Sequence, residues 1–247
     1  MPPAPGVRTT SAPLQTPLQA PLQALYTTYC IALFTALGMT TLVINLFVPK
    51  VRRRRQVAGA FSRFFLRAAG IPFTVHGTDR LPSAPCVVVA NHASYIDGIV
   101  AIAALPPDFA FVIKKEMMRV PLASLLLKRL GSEFVERYDR HKGASDTRRV
   151  LRLAAGGQSL VFFPEGTFDE RRHIGKFLGG AFATAARSQM PVVAAAIHGT
   201  REMLPPGGLM FYRRPIRFEI LAVLDAADAR QRSRELIAQA VGEPLAP

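Results

Sequence analysis

From residue 71 onward, short apolar, β-prone runs alternate with stretches of helical periodicity, and this alternation limits the possible folds more than any other feature of the chain. The pattern predicts strands near 72–76, 85–90, 109–113, 133–136, 159–163, 192–197 and 216–223. Helices are expected near 96–104, 121–130, 145–155, 176–188 and 227–241. Such alternation implies an α/β fold, a mixed, largely parallel sheet flanked by helices. Pro215 falls just before the last run, where it is tolerable at a strand entrance or on an edge.

Upstream of residue 71 the organisation changes. Residues 1–24 are a Pro/Gln/Ala/Thr leader with three copies of Pro-Leu-Gln, beginning at Pro13, Pro17 and Pro21, and are expected to be disordered. Residues 25–48 are almost wholly apolar or small and, as a helix, would extend ~36 Å, enough to cross a bilayer. Pro49 ends that segment, and Lys50, Arg52, Arg53, Arg54 and Arg55 follow in place of a small-residue cleavage site, which argues against a signal peptide. These five cations are expected to meet anionic headgroups and hold this end at the cytoplasmic face. Val57, Phe61, Phe64, Phe65 and Ala68 mark one face of a second helix suited to lying in the membrane interface. The 247 residues thus divide into a leader (1–24), an N-terminal membrane-associated helical segment (25–70) and a folded domain (71–247). Spanning and monotopic attachment both fit, and so does a buried core helix with a solvated basic tail.

The chain holds 31 basic against 17 acidic residues, a net charge of +14, and its mean hydropathy is +0.20. That excess draws polyanions, and with the apolar segment it points to an anionic membrane as partner. No aromatic RNA-binding block or zinc-finger spacing is present, so nucleic acid is not expected as a partner. Cys30 and Cys86 have no metal spacing and form no disulfide framework. Without a metal-ligand cluster or a Gly-rich nucleotide loop, neither a metal nor a cofactor is expected.

The chemistry concentrates in Asn91-His-Ala-Ser-Tyr-Ile-Asp97, at the carboxyl end of the run Cys86–Ala90. Open α/β sheets place their ligands at the carboxyl ends of strands. His92 is the natural base near neutral pH, and Asp97 could orient its ring and stabilise the imidazolium. On one helix, residues five apart do not face each other. The pair therefore works only if His92 sits in the strand-to-helix turn and Asp97 in the helix that follows. An Asn-His turn with a capping aspartate is the plainer alternative. Ser94 invites a Ser-His-Asp hydrolase reading, which the lack of any Gly-x-Ser-x-Gly elbow opposes. Asn91 could align the loop or donate to a developing oxyanion.

Three further blocks follow: Gly131-Ser-Glu-Phe-Val-Glu-Arg137, Phe163-Pro-Glu-Gly-Thr167 and Pro191–Thr200. With the heptad, and in this order from about Ile71 to Phe218, they resemble the lysophospholipid acyltransferase family, most closely the 1-acylglycerol-3-phosphate acyltransferases. The resemblance implies O-acyl transfer from acyl-CoA or acyl carrier protein to a lysophospholipid acceptor at the cell inner (cytoplasmic) membrane, with the catalytic domain on its cytoplasmic face. His92 and Asp97 would be catalytic, the substrate's own hydroxyl being the nucleophile. Arg137, at a strand end, is the best candidate for a two-pronged phosphate contact. Glu165, Gly166 and Thr167 would help bind the acceptor's glycerol phosphate. Gly166 lets main-chain N–H groups approach an anion and Thr167 adds a hydroxyl, whereas Glu165 beside a phosphate suits a structural or hydroxyl-binding role.

Two positions depart from the family pattern. Phe168 stands where Arg or Ser is usual, with Arg171 and Arg172 nearby as displaced sources of charge, and Ala194 stands where a second proline is usual. His198 is expected to be structural, Lys114-Lys115-Glu116 to put cations beside the acyl channel, and the Met/Leu strip Met117–Leu130 to line that channel, meet lipid or pack in the core. The expected product is phosphatidate. Another acceptor such as a lyso-ornithine lipid is the alternative, and a non-catalytic basic lipid-binding protein is the rival from another class.

Overall fold

The computed structural model describes residues 19–136 and 140–246, with side chains over 20–136 and 146–246. Its centre is a seven-stranded sheet of β1 (Phe73–His76), β2 (Val87–Ala90), β3 (Phe109–Lys114), β4 (Glu133–Val135), β5 (Ser159–Phe162), β6 (Val192–His198) and β7 (Ile216–Leu224). The order is β1-β7-β6-β2-β5-β3-β4, and every neighbouring pair is parallel except β6 with β7. The expected mixed, largely parallel sheet is the one observed.

Burial on both faces explains the composition of the strands. All four residues of β2 are buried, with Val88 and Ala90 entering one core and Val87 and Val89 the other. The first core is closed by α2 (Val51–Ala68) and α3 (Asp97–Ala104), through Phe65, Leu66, Val100 and Ala101. The second is closed by α5 (Arg140–Ala155), α6 (Gly180–Arg187) and α8 (Ala229–Val241), through Val150, Phe182, Ala185 and Ile237. The remaining helices are α1 (Gln19–Phe47), α4 (Pro121–Arg129) and the single turn α7 (Thr200–Met203). Gly199, before α7, has φ +82°, and a Cβ there would lie 2.0 Å from the Pro215 carbonyl oxygen, so only glycine fits where β6 turns off beside the entrance of β7. Ala194 lies fully buried inside β6, next to a shift of register against β7, and not in a turn.

Three N-terminal expectations are revised. Helix α1 begins at Gln19, so residues 19–24 leave the leader; Pro21 is tolerated in a first helical turn, where its missing N–H has no intrahelical partner. The expected interfacial helix, α2, instead packs on α1 and α3 and buries Ala58, Gly59, Ser62, Phe65 and Leu66, leaving Phe64 exposed. Of the five cations expected to meet lipid, Arg55 is buried and donates to the Leu130 carbonyl and the Gln158 side chain at 2.8 and 2.9 Å. Arg54 donates to the carbonyls of Val48, Pro49 and Arg129, and Arg52 pairs with Asp108. These arginines lock the helical hairpin to the sheet domain, which a run of like charges in the sequence could not reveal.

Helix α1 also touches the domain near both ends. Gln23 donates to the Phe211 carbonyl, and the Tyr26 and Tyr29 hydroxyls donate to the carbonyls of Ala69 and Ala68. At the other end Arg129 of α4 donates to the carbonyls of Asn45 and Leu46, the free acceptors of the helix terminus.

Candidate active site

His92 follows β2 in the turn 91–96, and Asp97 opens α3, the placement that their spacing requires. His92 Nδ1 lies 2.9 Å from Asp97 Oδ2. The same oxygen accepts the main-chain N–H groups of Ala93 at 2.6 Å and Ser94 at 2.8 Å. Asp97 is fully buried, and its other oxygen, Oδ1, has no partner among the described residues. A carboxylate oxygen can only accept, so the proton of a neutral imidazole is assigned to Nδ1, and the Nε2 lone pair is left to accept a proton. The His92 side chain is 20% exposed, enough to be reached.

Surrounding groups fix this turn. The Asn91 amide donates to and accepts from the main chain of Ile197 in β6, at 2.9 and 2.8 Å, and is buried. It aligns the loop, with its oxygen and one of its two N–H donors engaged by β6. The Ser94 hydroxyl is buried and donates to the Leu204 carbonyl at 2.7 Å, so it is no nucleophile in this arrangement. Glu165 accepts the His92 N–H on Oε1 at 2.8 Å and the Gly175 N–H on Oε2 at 2.7 Å. Burial pushes its carboxyl above the usual carboxylate range, against the pull of those two N–H donors. Both oxygens tie loop to loop, which gives Glu165 a structural role in this turn.

The rest of the Phe163–Thr167 block turns sharply, with Gly166 at φ +80° and Thr167 exposed at the surface. Phe163 stacks on the His92 ring at 4.7 Å, and Phe168 meets it edge-on at 4.5 Å. Arg171 and Arg172, the nearby sources of charge, are each paired at the surface, Arg171 with Asp169 at 2.6 Å and Arg172 with Glu202 at 2.8 Å. Arg137 lies outside the described residues. His198 faces Glu219 and Arg217 on the sheet, where burial and then the Arg217 charge hold its pKa below the ordinary histidine value. Met118, Val120, Leu122 and Leu125 are exposed, whereas Leu130 is buried, so only part of the strip is core packing. An open groove of about 550 Å³ runs beside it, with Lys115, Met118, Lys128 and Phe134 in its walls.

Residue spacing did not point to the partners that hold the turn from a distance, Ile197, Leu204 and Gly175. It also missed Arg234 of α8, which donates to the Gly175, Ile174 and Ala246 carbonyls. Only the aromatic pair had a local signal, since Phe163 and Phe168 flank the Glu165 block on both sides.

A family model described as Acyltransferase matches residues 72–198, from the entrance of β1 to the end of β6. A chloroplastic 1-acyl-sn-glycerol-3-phosphate acyltransferase of Brassica napus is 30% identical over 161 residues, covering 63% of this chain and 46% of the relative. A lyso-ornithine lipid O-acyltransferase of Pseudomonas aeruginosa is 34% identical over 141 residues, 56% of this chain and 52% of the relative. The chain spans about half the length of the curated relatives it matches. The crystal structure of the 1-acyl-sn-glycerophosphate acyltransferase PlsC from Thermotoga maritima superposes with a TM-score of 0.73, covering 91% of this chain and 95% of that one at 20% identity, a likeness of fold. With the family's pattern running through the strands, the His92 turn and the Glu165 loop that build the site, the chain belongs to the acyltransferase family.

Proposed function

We propose that the protein transfers a fatty acyl group from acyl-CoA or acyl carrier protein to the 2-hydroxyl of 1-acylglycerol-3-phosphate, forming phosphatidate. One observation carries the reading: a half-buried but reachable imidazole whose Nδ1 lies 2.9 Å from a fully buried carboxylate, which assigns the proton to Nδ1 and leaves Nε2 to act as base. Nε2 takes the proton of the acceptor hydroxyl as its oxygen attacks the thioester carbonyl, and Asp97 stabilises the imidazolium that forms. The C–S bond then breaks, and the imidazolium returns its proton to the leaving thiolate. The exposed Thr167 hydroxyl and Arg137 are the proposed phosphate contacts. Relatives bearing the name 1-acyl-sn-glycerol-3-phosphate acyltransferase in Brassica napus and Arabidopsis thaliana support this acceptor.

A second acceptor class has its own support. Phe168 occupies the base-proximal position, both nearby arginines are paired to carboxylates, and the Pseudomonas aeruginosa relative is named for lyso-ornithine lipid. Assaying labelled acyl thioester with lysophosphatidate and with lyso-ornithine lipid, in wild type and His92→Ala, tests both. Loss of the base is expected to cost at least ~100-fold. Equal rates in the two proteins would remove His92 from the mechanism, and no product from lysophosphatidate would remove that acceptor.

The same reading places the domain at a membrane surface, on the cytoplasmic face of the inner membrane. The helix spanning Ala20–Phe47 is long and apolar enough to cross a bilayer, and most of its apolar window is unburied. Its bonds to the domain at both ends support a monotopic arrangement in which α1 lies along the domain with its outer face in one leaflet.

A further inference from the structure

The His92 ring is enclosed by aromatic rings of two different kinds. Phe163, directly after β5, is partly buried against the first core and stacks on the imidazole at an interplanar angle of 23°, forming its floor. Phe168 comes from the loop beyond and meets the ring edge-on at 73°. Tyr95, from the turn that carries His92 itself, packs edge-on against Phe168 with centroids 4.9 Å apart, although it is 66% exposed. A tyrosine ring held at the surface against a second aromatic contributes little to the core. It does extend an apolar roof from the base toward solvent.

The roof is anchored rather than loose. The residue after Phe168, Asp169, is gripped twice, by the Arg171 guanidinium on its carboxylate and by Arg201 Nη1 on its carbonyl at 2.7 Å. The adjoining Arg172–Glu202 pair ties the same loop to α7. Arg201 and Arg172 thus tie the loop that carries Phe168 to α7.

Resting on the acyl-transfer reading, we propose that Phe168 and Tyr95 form a cover that keeps water from His92 Nε2 while admitting a lipid hydroxyl, and so set the partition between acyl transfer and thioester hydrolysis. The two reactions share every step but one. In transfer, the acceptor oxygen forms the new C–O bond, the C–S bond breaks, and its proton passes through Nε2 to the thiolate. In hydrolysis a water oxygen takes that place and a free fatty acid leaves. Water is present in vast excess over any lipid hydroxyl, so a base able to activate one will activate the other unless access differs. An acyl chain and glycerol backbone gain contact by sliding along the two rings, whereas water gains nothing from them and loses its hydrogen bonds there. The position of Phe168 thus acquires a role that charge complementarity would not assign to it.

The test measures thiol release and acylated lipid side by side, with and without lysolipid acceptor, in full-length protein. Phe168→Ala is expected to raise the ratio of hydrolysis to transfer by ~10-fold, the scale of one aromatic contact expressed as a rate ratio. Tyr95→Ala is expected to raise it less, and Tyr95→Phe, which keeps the ring, to leave it as in wild type. Tyr95 is exposed, so its variants stay informative even if Phe168→Ala does not fold. An unchanged ratio in Tyr95→Ala and Phe168→Ala, with both reactions falling together, would overturn the cover and leave Phe168 as scaffold for the imidazole. Thiol release by wild type with no lipid product from any acceptor would instead overturn acyl transfer itself, and the cover with it.

Discussion

Replacing Asp97 with asparagine separates the electrostatic part of the dyad from its geometry, because the surrounding main chain dictates how the amide must sit. Oδ2 receives N–H groups from Ala93 and Ser94 as well as His92 Nδ1. An amide NH2 placed there would oppose two main-chain donors, so the asparagine oxygen takes that position and the Nδ1-protonated tautomer is kept. The NH2 then occupies the site of Oδ1, which is buried with no partner. That buried, unpaired donor should lower stability by ~1–3 kcal/mol. Catalytically, only the charge is lost. A charge-assisted bond contributes ~1.5–3 kcal/mol and a neutral one about 1 kcal/mol, so stabilisation of the imidazolium falls by ~0.5–2 kcal/mol, or ~2–30-fold in rate. Asp97→Ala is different in kind. It strands two buried main-chain donors at ~1–3 kcal/mol each, a large share of the ~5–15 kcal/mol that holds a domain together. Thiol release coupled to phosphatidate formation, with thermal melts of each variant, measures both effects. A loss in Asp97→Asn as deep as that in His92→Ala would refute the argument that the main chain preserves the tautomer. An unaltered rate would refute the electrostatic role.

Other consequences follow from the same contacts. Arg234→Ala removes the donor that fixes the carbonyls of Gly175, Ile174 and Ala246, and Gly175 in turn binds Glu165 beneath His92; kcat should fall with little change in donor KM, and the loss should be non-additive with Glu165→Gln in a double-mutant cycle. Simple additivity would show that the two residues act separately. Burial pushes the Cys86 thiol from its ordinary value near 9 up to about 11. A raised pKa means stability present below pH 9 and lost as pH climbs toward 11, at most about 2–3 kcal/mol; an alkaline melt of wild type should show this extra loss and Cys86→Ala should not. Vesicle binding should persist in high salt and on neutral lipid, because the apolar face of α1 and α4 dominates it and most of the arginine cluster is paired within the protein; release by salt would refute this.

What the sequence disclosed were features with local signatures. Short β-branched apolar runs such as Val87–Ala90 read as strands between two layers, and the five-residue spacing of His92 and Asp97 required the turn-to-helix junction where they lie. Features that depend on a distant partner were hidden. The antiparallel course of β7 depends on the path of residues 199–215, which no periodicity encodes. Asn91 looked like a turn residue because its partner, Ile197, is 106 positions away. Arg55 looked like one more surface cation, and its burial depends on carbonyls and a glutamine brought in by α4 and the approach to β5. Phe168 read as a missing charge, whereas its ring packs edge-on against both His92 and Tyr95.

The docking of α1 bears on how the proposed substrate would reach the site. At 29 residues the helix is ~43 Å long. To cross a bilayer upright it would have to give up the tyrosine bonds to Ala68 and Ala69 at one end or the Arg129 cap at the other, each made by a polar group with no substitute partner in hydrocarbon. Lying along the domain keeps them all. It also joins the exposed Leu22, Leu25, Phe34 and Val43 of α1 to Leu122 and Leu125 of α4 and, through the Gln23 and Thr27 contacts with the 210–211 segment, to Leu209 and Met210. That segment begins just past Leu204, whose carbonyl receives the Ser94 hydroxyl in the catalytic turn. The apolar surface of α1 and α4 and the turn that carries the base are thereby parts of one bonded unit. On the proposed reading, a lysolipid would reach His92 by moving along that surface, and its hydroxyl would not have to pass through water.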